Sequence, residues 1–172
     1  MQTKTAKATS ALGAEYLREL ESEIRSTREC LEKIPLDNPS WKPHEKSMEI
    51  GYLAVLVADI PKWISLSIRD SVIDLATYEQ FKPKTTEELV TRFDENVESA
   101  KKSLANVTDD GLKETFSLKN QGQLLFSAPM DENISSCINH MVHHRGQLSV
   151  YMRLLDIPVP SIYGPSADTP GF

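Results

Sequence analysis

Leu89, Phe93, Val97, Ala100 and Leu104 recur at steps of three and four residues. That spacing puts side chains on one face of an α-helix. Such a stripe must be buried against another apolar face, and three more stretches carry one. In the first, Leu12, Tyr16, Leu20, Ile24, Leu31 and Ile34 follow Ser10, with Thr27 filling the gap, up to Pro35 and Pro39. In the second, from about Glu45, the stripe is Ile50, Leu53, Val57, Ile60 and Ile64. Pro61 cannot donate a backbone hydrogen bond, which predicts a kink or break before helix resumes from Trp63 to Arg69. In the last, from Met130 or Asp131, it is Ile134, Ile138, Met141, Leu148, Met152 and Leu155. Four amphipathic helices without a convincing sheet predict an all-α antiparallel four-helix bundle, as a single domain over residues 1–172.

The links carry less pattern. Residues 112–126 change period around Asn120-Gln-Gly122 and predict a small β-hairpin or an extended loop covering one end of the bundle. Residues 70–85 read as an irregular link, and Thr108-Asp-Asp-Gly111 as a turn. The third helix begins at Thr86, ahead of Glu87 and Glu88. Trp41, between two prolines, is expected to fold back onto the bundle. The small polar residues 1–9 predict a frayed end. The tail after Leu155 holds four prolines and is expected to lie along the surface, pinned by Ile162 and Tyr163.

Apolar residues make up 40% of the chain, which is globular rather than disordered in composition. A net charge of −6, with lysines scattered among glutamates, argues against nucleic acid or an anionic membrane surface as partner. Cys30 and Cys137 form no CxxC and are read as free thiols in a reducing compartment. The first residues lack an apolar signal core, and the run Gly51 to Ala58 is too short to cross a bilayer. These readings predict a soluble cytoplasmic protein. No Ser/His/Asp order, phosphate loop or dinucleotide fingerprint is present, which sets aside nucleophilic and nucleotide chemistry.

The chemistry concentrates in Ile138 to Arg153, INHMVHHRGQLSVYMR, with three of the four histidines. His140 and His144 are spaced i, i+4, so a helix stacks them on one face, where two imidazoles can grip one ion. The plainer reading is a polar pair hydrogen-bonded between helices. His143 falls further round, towards solvent. Arg145 is read first as structural, donating to carbonyls of a helix end or of the tail, and otherwise as an anchor for an anionic ligand group. Gly146 is expected to permit close helix packing. Trp63, Tyr151 and Tyr163 are candidates to line a seam pocket.

Two blocks of sequence are similar to the DinB-like family of small helical proteins: NHMVHHRGQLSVYMRLLDIPVPSIYGPSAD and KPHEKSMEIGYLAVLVADIPKW. The resemblance implies an antiparallel four-helix bundle, a homodimer, and a zinc, nickel or iron ion held by three histidines. The last two ligands would fall on His140 and His144. The first does not carry over, because its position is Leu56. A substitute could come from Asp59, one turn on, or from Cys137, one turn before His140. His44 is about 18 Å from Leu56 along a continuous helix and too far to serve.

Three functions follow from the resemblance. One is a degenerate member that binds a small molecule in an apolar seam lined by Leu56, Asp59, Trp63, Arg145, Tyr151 and Tyr163. Another is a divalent-metal-dependent transferase or isomerase that uses a low-molecular-weight thiol. The third is a non-catalytic structural or regulatory dimer.

Overall fold

In the computed structural model, which describes residues 9–170, four long helices pack around one hydrophobic core. They are α1 (Ala11–Leu31), α2 (Ile50–Asp70), α3 (Thr86–Asn106) and α5 (Met130–Leu154), with a short α4 (Asp109–Lys113) between the last two. The expectation for residues 1–9 lies outside the described residues except at Thr9. The helix starts are chemically marked. Ser10 Oγ accepts the Gly13 amide at 3.2 Å, and Thr85 Oγ1 accepts that of Glu88 at 3.1 Å. Each such cap satisfies a donor that the first helical turn leaves free.

The protein is not the purely helical bundle that the apolar stripes predict. Besides its five helices it has a three-stranded mixed sheet: β1 (Val72–Asp74), β2 (Thr115–Asn120) and β3 (Gln123–Pro129). The hairpin β2–β3 turns at Gln121 and Gly122, both with positive φ (51° and 77°), as a two-residue type I′ turn requires. β1 lies in the stretch read as an irregular link. It pairs in parallel with β2, Val72 opposite Ser117 and Ile73 opposite Leu118. Three residues are too few to show a period. Their partner is more than forty residues away, beyond the α3–α4 crossover that a parallel pair demands. The Thr108–Gly111 turn is the capped start of α4, with Thr108 Oγ1 accepting the Gly111 amide.

α2 is the central helix, packed chiefly against α3 and α5. It begins at Ile50 rather than Glu45, and runs through Pro61 to Asp70 without ending. Pro61 is buried among Ile60, Ile64 and the rest of the core, so packing on both sides offsets the one hydrogen bond that proline cannot donate. Each core leucine or isoleucine contributes about 1.5–3 kcal/mol by leaving water. By length and composition α2 would suffice to cross a membrane, but 67% of its most apolar window is buried inside the protein.

The sheet closes one end of the bundle. Phe116 and Leu118 of β2 point inward, and Ile73, Leu118 and Phe126 stand side by side across the three strands. Trp41 does fold back, meeting the Tyr151 ring edge-on at 5.6 Å.

Candidate functional site

α2 and α5 run antiparallel, in a register set by three contacts. Asn133 Nδ2 donates to Ser67 Oγ at 2.9 Å, the Trp63 and His140 rings lie 5.6 Å apart, and Tyr151 OH donates to the Met48 carbonyl at 3.2 Å. That register puts the half-buried Leu56 level with the turn that carries His144.

His140 and His144 meet as their spacing predicts, Nε2 to Nε2 at 2.7 Å. The next contact orders their protons. His144 Nδ1 lies 2.7 Å from Gln147 Oε1, an oxygen that only accepts, so Nδ1 carries the proton. In the neutral pair His144 Nε2 is then the acceptor, His140 Nε2–H the donor, and His140 Nδ1 is left with its lone pair. No hydrogen bond to that nitrogen is made among the described residues. Burial, and then the neighbouring His144 and His143, lower the His140 pKa below the usual histidine value, which favours this neutral form. His143 itself is exposed.

The pair does not fit the three-histidine metal site that the resemblance implies. Two nitrogens on one tetrahedral zinc, each at 2.0–2.1 Å, would stand about 3.3 Å apart. Here they share a proton at 2.7 Å. Among the described residues no third His, Cys, Asp or Glu joins them.

Asp59, the proposed substitute ligand, is committed elsewhere. Its Oδ1 accepts from Arg92 Nε at 2.9 Å and from Asn96 Nδ2 at 3.0 Å, and its Oδ2 from Tyr78 OH at 3.3 Å. Tyr78 OH in turn accepts from Trp63 Nε1 at 3.0 Å. The carboxylate thus takes up the Tyr78 hydroxyl directly and the Trp63 N–H through it, while the Lys62 ammonium lies over the Tyr78 ring, 5.0 Å from its centroid.

The two side chains line a cavity of about 350 Å³ between α2, α5 and the sheet. Trp63 and Tyr78 line it together with Ile73, Phe116, Leu118 and Phe126 of the sheet. His140, Cys137, Asn133, Ser136 and Ser67 supply the polar groups at its helical side. The volume lies at the lower end for small-molecule sites, and the mostly apolar lining with a few polar groups is typical of them. Burial pushes the Cys137 thiol up to about 12, so it lines the cavity as a neutral S–H rather than a nucleophilic thiolate or a metal ligand.

Of the six residues expected to line a seam pocket, only Trp63 borders this cavity. Leu56 and Asp59 do not border it. Tyr151 is held between Trp41 and Met48. Arg145 points towards α1, not into a site, and is 1% exposed. It donates to Ser26 Oγ, Thr27 Oγ1 and the Glu23 carbonyl, pairs with the Glu23 carboxylate, and reaches the Tyr163 hydroxyl of the tail at 2.8 Å. Gly146 meets no close neighbour: among the described residues nothing outside its own helix lies within 4 Å of where a Cβ would be. Of the wall residues that sequence reasoning missed, Ile73, Phe116, Leu118 and Phe126 come from the sheet, Leu75 and Tyr78 from the segment after β1, and Ser67, Asn133 and Ser136 from α2 and α5. For the β2 pair the signal is the alternation Phe116-x-Leu118 ahead of the turn; the continuous apolar run Leu124 to Phe126 on its far side shows no period.

The family model for the DinB family matches residues 1–170. Two crystal structures share the fold: a DinB-like protein from Bacillus subtilis and another from Bacillus cereus. The first is 21% identical, with a TM-score of 0.66 over 85% of this chain and 96% of that one. The second is 22% identical, with a TM-score of 0.65 over 87% and 97%. No curated protein matches the sequence.

Proposed function

Because this chain belongs to the DinB family over nearly its whole length, we propose that it is a member that binds a small molecule without a metal centre. The ligand site is the apolar cavity between α2, α5 and the sheet, with the hydrogen-bonded His140–His144 pair at its polar side. The observation that carries this reading is the cavity itself. Four aromatic rings line it, two of them with their polar ends already satisfied at Asp59 or through one another. Apolar surface held open in this way gains free energy when a ligand covers it, at about 25 cal/mol per Å².

A metal-dependent thiol transfer needs a third donor beside the histidines, and Leu56 cannot supply one. In the proposed reading the pair instead acts as a relay of defined tautomers that presents a polar atom to the bound molecule.

The test has two arms, both on protein purified without a metal-affinity tag or chelator. Elemental analysis is expected to find no stoichiometric zinc, nickel or iron, before or after incubation with those ions. In the Trp41→Phe protein Trp63 is the remaining tryptophan. Its fluorescence is expected to change saturably with toluene, an apolar probe of cavity size. One tightly held metal ion per chain, or no response to toluene, overturns the reading.

A further inference from the structure

We infer that the cavity selects a small aromatic molecule bearing a hydrogen-bond-donating hydroxyl, a phenol-class ligand. The inference rests on the small-molecule reading above and names the chemistry of the molecule.

The argument starts at Gln147. Its Oε1 accepts the His144 Nδ1 proton, the His144 Nε2 lone pair accepts the His140 Nε2 proton, and His140 Nδ1 keeps a lone pair. His140 is part of the cavity wall. Its remaining nitrogen has no hydrogen-bond partner among the described residues. A half-buried acceptor loses hydrogen bonding to water when a ligand covers the site, so a ligand that donates to it is favoured over one that does not. A neighbouring amide makes the same demand. Asn133 is 6% exposed and borders the cavity. Its Nδ2 is spent on Ser67, and its carbonyl oxygen makes no hydrogen bond among the described residues. Two acceptors without donors thus border the helical side of the space, beside the Ser67 and Ser136 hydroxyls and the Cys137 thiol.

The aromatic lining sets the shape. Trp63, Tyr78, Phe116 and Phe126 line the space with four aromatic rings, which an aromatic ligand ring matches by offset and edge-to-face contacts. Phe126 and Leu75 also border the cavity and are each 49% exposed, which marks its mouth on the sheet side. A planar molecule enters there with its hydroxyl leading towards α5. Charged ligands are disfavoured, because no cationic or anionic side chain borders the cavity.

The experiment compares phenol with anisole, its methyl ether, and with toluene. Binding to the full chain is read by isothermal titration and by Trp63 fluorescence in the Trp41→Phe protein. Phenol is expected to bind at least fivefold more tightly than anisole, the size of one net hydrogen bond. His140→Phe keeps an aromatic wall but removes the acceptor, and is expected to shrink that preference to twofold or less. Equal binding of phenol, anisole and toluene overturns the ligand class and leaves the cavity reading standing. So does a preference for phenol that His140→Phe does not alter, if Asn133→Leu does not alter it either. Failure of all three probes to bind overturns both.

Discussion

Arg145 Nη1 lies 2.6 Å from Glu23 Oε2, joining α5 to α1 through side chains that are 1% and 10% exposed. The guanidinium follows His144 directly in sequence yet points to the far side of the helix. The same Nη1 also lies within hydrogen-bond distance of Ser26 Oγ and Thr27 Oγ1, and Nη2 donates to the tail hydroxyl of Tyr163.

Removing one partner of this pair leaves the other buried and uncompensated. Arg145→Met is therefore expected to destabilise the protein by about 3–5 kcal/mol, read from the urea midpoint. The double variant Glu23→Met/Arg145→Met is expected to recover a substantial part of that loss, because both charges are then gone. A loss below 1 kcal/mol for Arg145→Met alone would remove the ion pair from the account of how α1 and α5 are held.

The Asp74 carboxylate holds the cavity wall in place from β1. It accepts the backbone amides of Ala76 at 3.0 Å, Gln121 at 3.0 Å and Gly122 at 2.8 Å, clamping the hairpin turn to the end of β1. These hydrogen bonds hold its pKa below the usual carboxylate value. A lowered folded-state pKa means that the stabilisation is present above the unfolded value, about 3.9, and fades as pH falls through the lower folded value. The protection factors of the Gln121 and Gly122 amides are expected to be high at neutral pH and to fall as pH drops below the unfolded carboxylate value, about 3.9. Asp74→Ala is expected to show the lowered protection at every pH.

Two glycines in helices are expected to respond in opposite directions to the same substitution. A Cβ on Gly51 would lie 2.6 Å from Pro39 Cβ and 3.0 Å from the Pro39 carbonyl oxygen, which Gly51 N already contacts at 2.9 Å. Gly51→Ala is expected to cost about 1–3 kcal/mol through this clash, more than the helix propensity it gains. Gly146→Ala meets no such neighbour and is expected to stabilise α5 by about 0.5–1 kcal/mol. Thermal melts of the two single variants test the contrast.

Leu56 lies level with His144 across the α2–α5 seam. Leu56→His is expected to add a third imidazole to the pair and to bind zinc at least tenfold more tightly than the unaltered protein, by isothermal titration. The His140–His144 hydrogen bond must open by about half an ångström for both nitrogens to reach one ion. If Leu56→His binds zinc no better, the register between α2 and α5 is not the one described here.

How much of this was legible beforehand varies with the range of the interaction responsible. The i, i+3 and i, i+4 stripes located all four long helices, because helical hydrogen bonds and one buried face are local in sequence. The same local geometry brought His140 against His144. What the stripes could not show was β1. Val72–Asp74 is a strand only because Ser117–Lys119 pairs with it across the whole of α3 and α4. The break expected at Pro61 did not occur for a related reason: a proline's cost is local, but the burial that offsets it comes from the tertiary core.

The amino-acid sequence by itself determined where the four long helices run and where the histidine pair sits, and through the family resemblance it put Leu56 where a third ligand would be expected. Each depends on neighbours within about one helical turn or on a single position. Only the tertiary structure decided what those residues face. It sent Arg145 to Glu23 rather than to a ligand, and gave Asp59 to Arg92, Asn96 and Tyr78 rather than to a metal. It also built the cavity from a strand ladder, Ile73–Leu118–Phe126, whose members lie far apart along the chain. A side chain's partner is set by which elements pack together. That depends on burying all the apolar faces at once, not on any one segment.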